Sequence, residues 1–139
     1  MKMSRQWTKE QQEAISKSGT NMIISAGAGS GKTAVLTERV IEKLRHGTSI
    51  RSLLILTFTN AAASEMKERI RSALQKEESL KEELDQLDSA YITTFDSYAL
   101  SLVKKYHYLL DLPKQIAITS SSIVSMKRVE IIDQILHEY

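Results

Sequence analysis

The residues best placed to do chemistry form one short run, Ala26-Gly27-Ala28-Gly29-Ser30-Gly31-Lys32-Thr33. Its glycines let successive backbone N–H groups turn towards one point, because no Cβ stands in the way. A helix starting at Lys32 would aim its N-terminal dipole at that same point. Lys32 is a point charge on a flexible stem, suited to the β- and γ-phosphates of a nucleotide, and a hydroxyl such as that of Thr33 is a Mg²⁺ ligand. The run fits the Walker A pattern, with Ala26 where a glycine is usual. It predicts ATP and Mg²⁺ as ligands of residues 26–33, with Lys32 and Thr33 acting at the reacting phosphates and Thr33 on the metal.

Such a loop is expected between a strand and a helix. Met22-Ile23-Ile24-Ser25 predicts a short buried strand before it. From Lys32 to about Arg45 the spacing predicts a helix with Leu36, Val40, Ile41 and Leu44 on one face, ended by Gly47. Upstream, Thr8 and Gln11 are spaced as a capping box with Trp7 as apolar lead-in, which predicts a helix over 8–15. Leu53 to Phe58 is a continuous apolar run, as in a strand buried on both faces. Asn60 is placed to cap a helix with Ala62, Met66, Ile70 and Leu74 in register, and Glu77 to Glu83 is a polar helical stretch. Tyr91 to Thr94 reads as a third strand, and Ser97 to Leu110 as a helix with Ala99, Leu102, Val103, Tyr106 and Leu110 inward. A short extended piece, Ile116-Ala117-Ile118, precedes a last helix with Ile132, Ile135, Leu136 and Tyr139 at helical spacing. Strands alternating with helices predict an α/β fold with a mostly parallel sheet, whose ligands sit at the carboxyl ends of the strands.

At 139 residues the chain is long enough for one domain with a real core, and its composition is globular. The net charge of +2 neither requires nor excludes a nucleic-acid partner. With no cysteine there is no disulfide framework and no zinc–thiolate cluster, and His46, His107 and His137 are scattered singly. Residues 1–7 are not followed by the apolar core of a leader. No apolar stretch reaches the roughly 20 residues that span a bilayer. The expectation is a cytoplasmic protein with no membrane partner.

Three further segments carry a resemblance to one family. Gln11, in Trp7-Thr8-Lys9-Glu10-Gln11, resembles the Q motif of superfamily 1 DNA helicases. Leu56-Thr57-Phe58-Thr59-Asn60-Ala61-Ala62-Ala63-Ser64-Glu65-Met66 resembles motif Ia of the UvrD/Rep/PcrA group, and Thr94-Phe95-Asp96-Ser97 resembles motif Ib. Thr33-Ala34-Val35-Leu36 and the Tyr106 to Leu112 segment are more similar to the AddA/RecB-type helicase–nuclease subunits. The resemblance implies that Gln11 joins the loop in binding the nucleotide by reading the adenine edge. It implies that Phe58 stacks on a DNA base, and that Thr57, Thr59, Asn60, Thr94 and Ser97 touch DNA phosphates. Two positions depart from the pattern. Ala34 stands where UvrD-like members usually carry Arg or Ser, and Asp96 stands where motif Ib commonly has His, so that a carboxylate faces where phosphate would lie.

The resemblance further implies an ATP-dependent 3'-5' DNA helicase, or helicase–nuclease subunit, with a role in DNA repair and recombination. Single-stranded and duplex DNA, and a partner subunit of a helicase–nuclease complex, are the implied partners. Hydrolysis in that family needs an acidic pair after a strand and arginine fingers from a second lobe. No apolar run here ends in Asp-Glu, and Asp133, after Ile131-Ile132, follows helical spacing. The expectation is therefore an incomplete first RecA-like lobe over 1–118, followed by the start of a helical insertion over 119–139, inactive by itself. A truncated non-catalytic nucleotide- or DNA-binding module is the alternative; a small P-loop kinase would need its own Mg²⁺ acid and an Arg-rich lid, and the sequence shows neither.

Overall fold

The computed structural model describes residues 6–138. The chain divides into two compact units, with the boundary between Tyr98 and Ala99.

In the first unit, helix α1 spans Lys9–Ser16 and begins at Thr8, whose side chain accepts from the Gln11 backbone N–H while the Gln11 side chain accepts from Thr8. The expected capping box is thus present in both directions. Helix α2 spans Lys32–Arg45, and Gly47 follows it at φ 83°, a conformation that glycine adopts without Cβ strain. Strand β1 is Leu54–Thr57 and strand β2 is Tyr91–Thr94, and they pair in parallel with Thr57 opposite Thr94. Parallel neighbours need a crossover rather than a hairpin. Here the crossover is helix α3, Asn60–Leu74, followed by the short helix α4, Lys81–Gln86.

The core is the set of side chains these elements turn inward: Val40, Ile41 and Leu44 from α2, Ile55 from β1, and Met66, Ile70 and Leu74 from α3, closed by Ile50, Leu80 and Leu87. Each fully buried aliphatic contributes about 1.5–3 kcal/mol. Glu83 ties the edge of this core, its carboxylate accepting from the Ile50 backbone N–H at 2.6 Å. Arg45 at the end of α2 pairs with Glu38, Glu42 and Glu77, and its guanidinium pKa is pushed up, first by the Glu77 hydrogen bond. A second, smaller cluster joins Ala14 and Ile15 of α1 to Val35 of α2, with Trp7 packed against it.

Several expectations are corrected. Met22 to Ser25 forms no strand, and Ile23 is 97 % exposed: a strand needs a hydrogen-bonding neighbour, and none lies beside it among the described residues. β1 is not buried on both faces, since Ile55 alone is buried and Leu54 is exposed. In the first turn of α2 the buried position is Val35 rather than Leu36, because Val35 packs against Ala14 and Ile15 of α1, while Val40, Ile41 and Leu44 are buried as expected. The N-cap of α3 is Thr59, accepting from the Ala62 N–H, rather than Asn60, and Ala63 rather than Ala62 is buried along with Met66, Ile70 and Leu74.

Helix α5 spans Phe95–Lys105, starting two residues earlier than expected because Thr94 caps it, and it buries none of its residues. A separate turn, His107–Leu110, replaces the expected continuation. Residues Ile116 to Ile118 form no regular element. In the second unit helix α6 spans Ser121–Glu138, and Ile132, Ile135 and Leu136 on it are exposed; Tyr139 lies outside the described residues.

Candidate functional site

The loop from Ala26 to Gly31 turns through Ala28 and Gly29 and enters α2 at Gly31. Gly29 and Gly31 sit at φ 74° and 83°, where L side chains are strained, so the glycines are there for the backbone path. Gly31 is the N-cap of α2 and supplies no side-chain acceptor. The N–H groups of the first turn are therefore left to an outside acceptor, and the dipole there favours an anion.

Lys32 curls back into the loop, its Nζ donating to the carbonyls of Ala26 at 2.6 Å and Gly27 at 2.8 Å. An ammonium has three donors, so one remains for a phosphate oxygen. Thr33 is exposed beside it in the first turn.

Gln11 reaches this loop from α1. Its Nε2 donates to the Ser30 carbonyl at 3.1 Å while its Oε1 holds the Thr8 N–H. The contact between α1 and the loop is thus a specific hydrogen bond, a partner for Gln11 that no local spacing predicts. Arg39 of α2 fastens the other end of α1, donating from Nη1 to the carbonyls of Ala14 at 2.6 Å and Ile15 at 3.4 Å. The expectations from sequence did not include this residue; the signal would have been a basic side chain one turn beyond Val35, which packs on α1. Thr8, Gln11, Ala26, Ser30, Lys32 and Arg39 line one cavity of about 410 Å³, within the range of ligand sites, roughly 300–1,000 Å³. A larger groove of about 960 Å³ lies against α2 and α3, lined by Glu38, Arg45, Glu65, Glu68, Arg69 and Glu77. Both of its arginines are already paired, Arg45 with Glu38 and Glu77 and Arg69 with Glu65, so the smaller cavity beside the loop is the better candidate.

A second group gathers at the carboxyl ends of the two strands. Phe58 follows β1 and is 92 % exposed, and Phe95 follows β2 and is 53 % exposed. Their ring centroids lie 5.7 Å apart with planes inclined by 33°. Thr59 and Asn60 open α3 beside them. Thr57 donates its hydroxyl to the Thr59 carbonyl at 3.0 Å. Thr94 is buried, and its hydroxyl is spent on the N-terminus of α5: it donates to Ser97 Oγ and accepts from the Ser97 N–H. Of the hydroxyls anticipated at phosphates, Thr59 and Ser97 are exposed and Thr94 is not. Asp96 is exposed in the first turn of α5, where its charge complements the dipole.

Among the described residues no three or more His, Cys, Asp or Glu side chains converge as a metal site, and no helix is long and apolar enough to cross a membrane. A Mg²⁺ at a loop of this kind takes a Ser or Thr hydroxyl, an acidic residue and the substrate phosphates. From this chain the ligand would be Thr33.

The described elements are α/β, with a two-stranded parallel sheet and a glycine loop that opens α2. The chain belongs to the UvrD/REP helicase N-terminal domain family, whose model matches residues 7–138. It is 41 % identical over 140 residues to an ATP-dependent helicase/nuclease subunit of Heliobacterium modesticaldum, covering 96 % of this chain and 10 % of that protein. It is 43 % identical over 143 residues to the protein of the same description from Oceanobacillus iheyensis, covering 96 % of this chain and 12 % of that one. For the Lactobacillus acidophilus protein of that description the figures are 46 % over 115 residues, 77 % and 10 %. The chain spans about a tenth of the length of the curated relatives it matches.

Proposed function

We propose that this chain is the ATP-cradling N-terminal part of a RecA-like lobe in an ATP-dependent 3'-5' DNA helicase or helicase–nuclease subunit of DNA repair. The observation that carries this reading is the loop at α2: two positive-φ glycines, an N-cap without a side-chain acceptor, and Lys32 bent over its own carbonyls.

The loop N–H groups and the α2 dipole receive the phosphates, and Lys32 turns one proton towards the β- and γ-oxygens. Thr33 would hold Mg²⁺, which when bound would supply positive charge against those oxygens. Gln11 fixes the loop from α1 and meets the adenine edge. Phe58 takes a DNA base by stacking, which tolerates any sequence; Thr59, Asn60 and Ser97 belong to the phosphate-facing side, while Thr57 and Thr94 spend their hydroxyls on the backbone and side chain that hold those residues in place. A partner subunit joins the whole assembly.

The test is binding of Mg-ATP to this chain by titration calorimetry, beside Lys32→Ala. A charge-assisted hydrogen bond is worth about 1.5–3 kcal/mol, so the variant is expected to bind at least tenfold more weakly. The same chain with excess single-stranded DNA is expected to hydrolyse ATP little. Turnover abolished by Lys32→Ala would mean that it carries its own catalytic carboxylate, with Asp96 the next residue to change. Salt-dependent single-strand binding without any affinity for ATP would replace the motor reading by a nucleic-acid-binding module.

A further inference from the structure

The family resemblance puts one aromatic, Phe58, against DNA. The structure pairs it with another. Both Phe58 and Phe95 follow the last residue of their strands, and those last residues, Thr57 and Thr94, are register partners in the parallel ladder. Two phenyl rings therefore meet where the two strands end, their centroids 5.7 Å apart and their planes tilted by 33°. Contact with each other covers little of them, since Phe58 keeps 92 % and Phe95 53 % of its surface exposed.

We propose that Phe95 is a second binding residue for single-stranded nucleic acid, forming with Phe58 one aromatic platform on which an unstacked base rests; this rests on the DNA reading of Phe58 given above. The chemistry around the rings favours a nucleotide over an aliphatic partner surface. Thr59 and Ser97 are exposed hydroxyls at the platform's edge, and α3 starts at Asn60 with its N–H groups and dipole directed to the same end. Phosphate is expected on the α3 side, because Asp96 puts a carboxylate in the first turn of α5. Two rings at neighbouring strand ends offer a wider aromatic surface than one ring on a loop. Phe95 has the stiffer seat, as the first residue of a helix capped by the residue before it.

The experiment uses this chain and a single-stranded oligonucleotide carrying 2-aminopurine, with affinity read by anisotropy and stacking by fluorescence quenching. Phe58→Ala and Phe95→Ala are each expected to weaken binding about tenfold, the scale of one base–aromatic stack. The double variant is expected to fall short of the product of the two, because a single platform is lost once. Phe95→Tyr is expected to restore affinity and quenching, and Phe95→Leu, of similar bulk, to restore neither. Far-ultraviolet circular dichroism and thermal midpoints should match the unsubstituted chain, since both rings are mostly exposed. If Phe58→Ala weakens binding while Phe95→Ala and Phe95→Leu bind normally, the platform is wrong and the DNA reading stands. If Phe95→Leu alone binds normally, Phe95 is only packing and the platform is again wrong. If the unsubstituted chain binds no single strand, both readings fall together.

Discussion

Gln11 joins two structures at once: its Oε1 accepts from the Thr8 N–H at 3.0 Å, and its Nε2 donates to the Ser30 carbonyl at 3.1 Å. One half of the amide stabilises α1, and the other fastens the phosphate loop to it. The two roles separate by substitution. Gln11→Glu keeps an acceptor for Thr8 and loses the donor to Ser30, whereas Gln11→Ala loses both. We expect Gln11→Glu to unfold in urea close to the unsubstituted chain yet bind Mg-ATP several-fold more weakly, one hydrogen bond being worth about 0.5–1.5 kcal/mol. Gln11→Ala should show the same loss of affinity and a further loss of stability of about 0.5–1 kcal/mol from the broken cap. Unchanged affinity in both variants would leave the Ser30 contact without a role in binding.

Arg39 is the counterpart at the other end of α1. Its guanidinium reaches the last carbonyls of that helix, where the dipole is negative, and donates to Ala14 at 2.6 Å. Such a charge-assisted bond is worth about 1.5–3 kcal/mol. Arg39→Ala should raise amide exchange along α1, at Gln12 and Lys17 for example, by tenfold or more, and leave α3 unchanged. Equal exchange in both proteins would show that Ala14, Ile15 and Val35 hold α1 without it.

What could be read in the sequence was local. The Thr8–Gln11 box and the span of α2 depend on neighbours a turn or so away, and each is where the pattern put it. What could not be read depends on contacts far along the chain. Met22 to Ser25 has the composition of a strand but no neighbouring strand among the described residues. Val35 displaces Leu36 only because α1 packs there, and the Gln11–Ser30 bond joins residues 19 apart. At the candidate site, residues 26–33 were visible as a motif. The pairing of Phe58 with Phe95 needed the register of β1 and β2, which no spacing in one strand contains.

The ion pairs of Asp88 give the chain an acid limb. Asp88 lies 3.0 Å from Lys67 Nζ and 2.8 Å from Arg71 Nη2, tying the turn before β2 to α3. The hydrogen bond from Lys67, then that from Arg71, holds its carboxyl below the ordinary aspartate value. A folded pKa below the unfolded one means stability that is complete above the unfolded value, about 3.9, and is lost as pH falls through the folded one. Urea midpoints should therefore separate Asp88→Asn from the unsubstituted chain at pH 7 and bring them together near pH 2. The gap should shrink in 1 M salt, since Asp88 is largely exposed. A gap that persists undiminished at acid pH would assign the difference to packing rather than charge.

The three glycines of the loop make unequal demands, and this orders their alanine variants. Gly29 and Gly31 have φ of 74° and 83°, whereas Gly27 does not lie in the left-handed region. A Cβ would meet nothing within 4 Å at Gly27 or Gly29, and at Gly31 it would meet only Gln11 Nε2, at an ordinary 3.7 Å. Space is therefore not the difference; backbone strain is. An L-residue held in the left-handed region costs about 1–2 kcal/mol, and the loop escapes that cost only by leaving the conformation that turns its N–H groups inward. Gly29→Ala and Gly31→Ala should each bind Mg-ATP roughly five- to thirtyfold more weakly, with circular dichroism unchanged. Gly27→Ala should bind almost normally. Gly29→Asn should recover part of the loss, because asparagine tolerates positive φ better than alanine. Equal losses at all three positions would point instead to steric contact with the bound phosphates, and no loss at any would mean that this loop does not shape the nucleotide site.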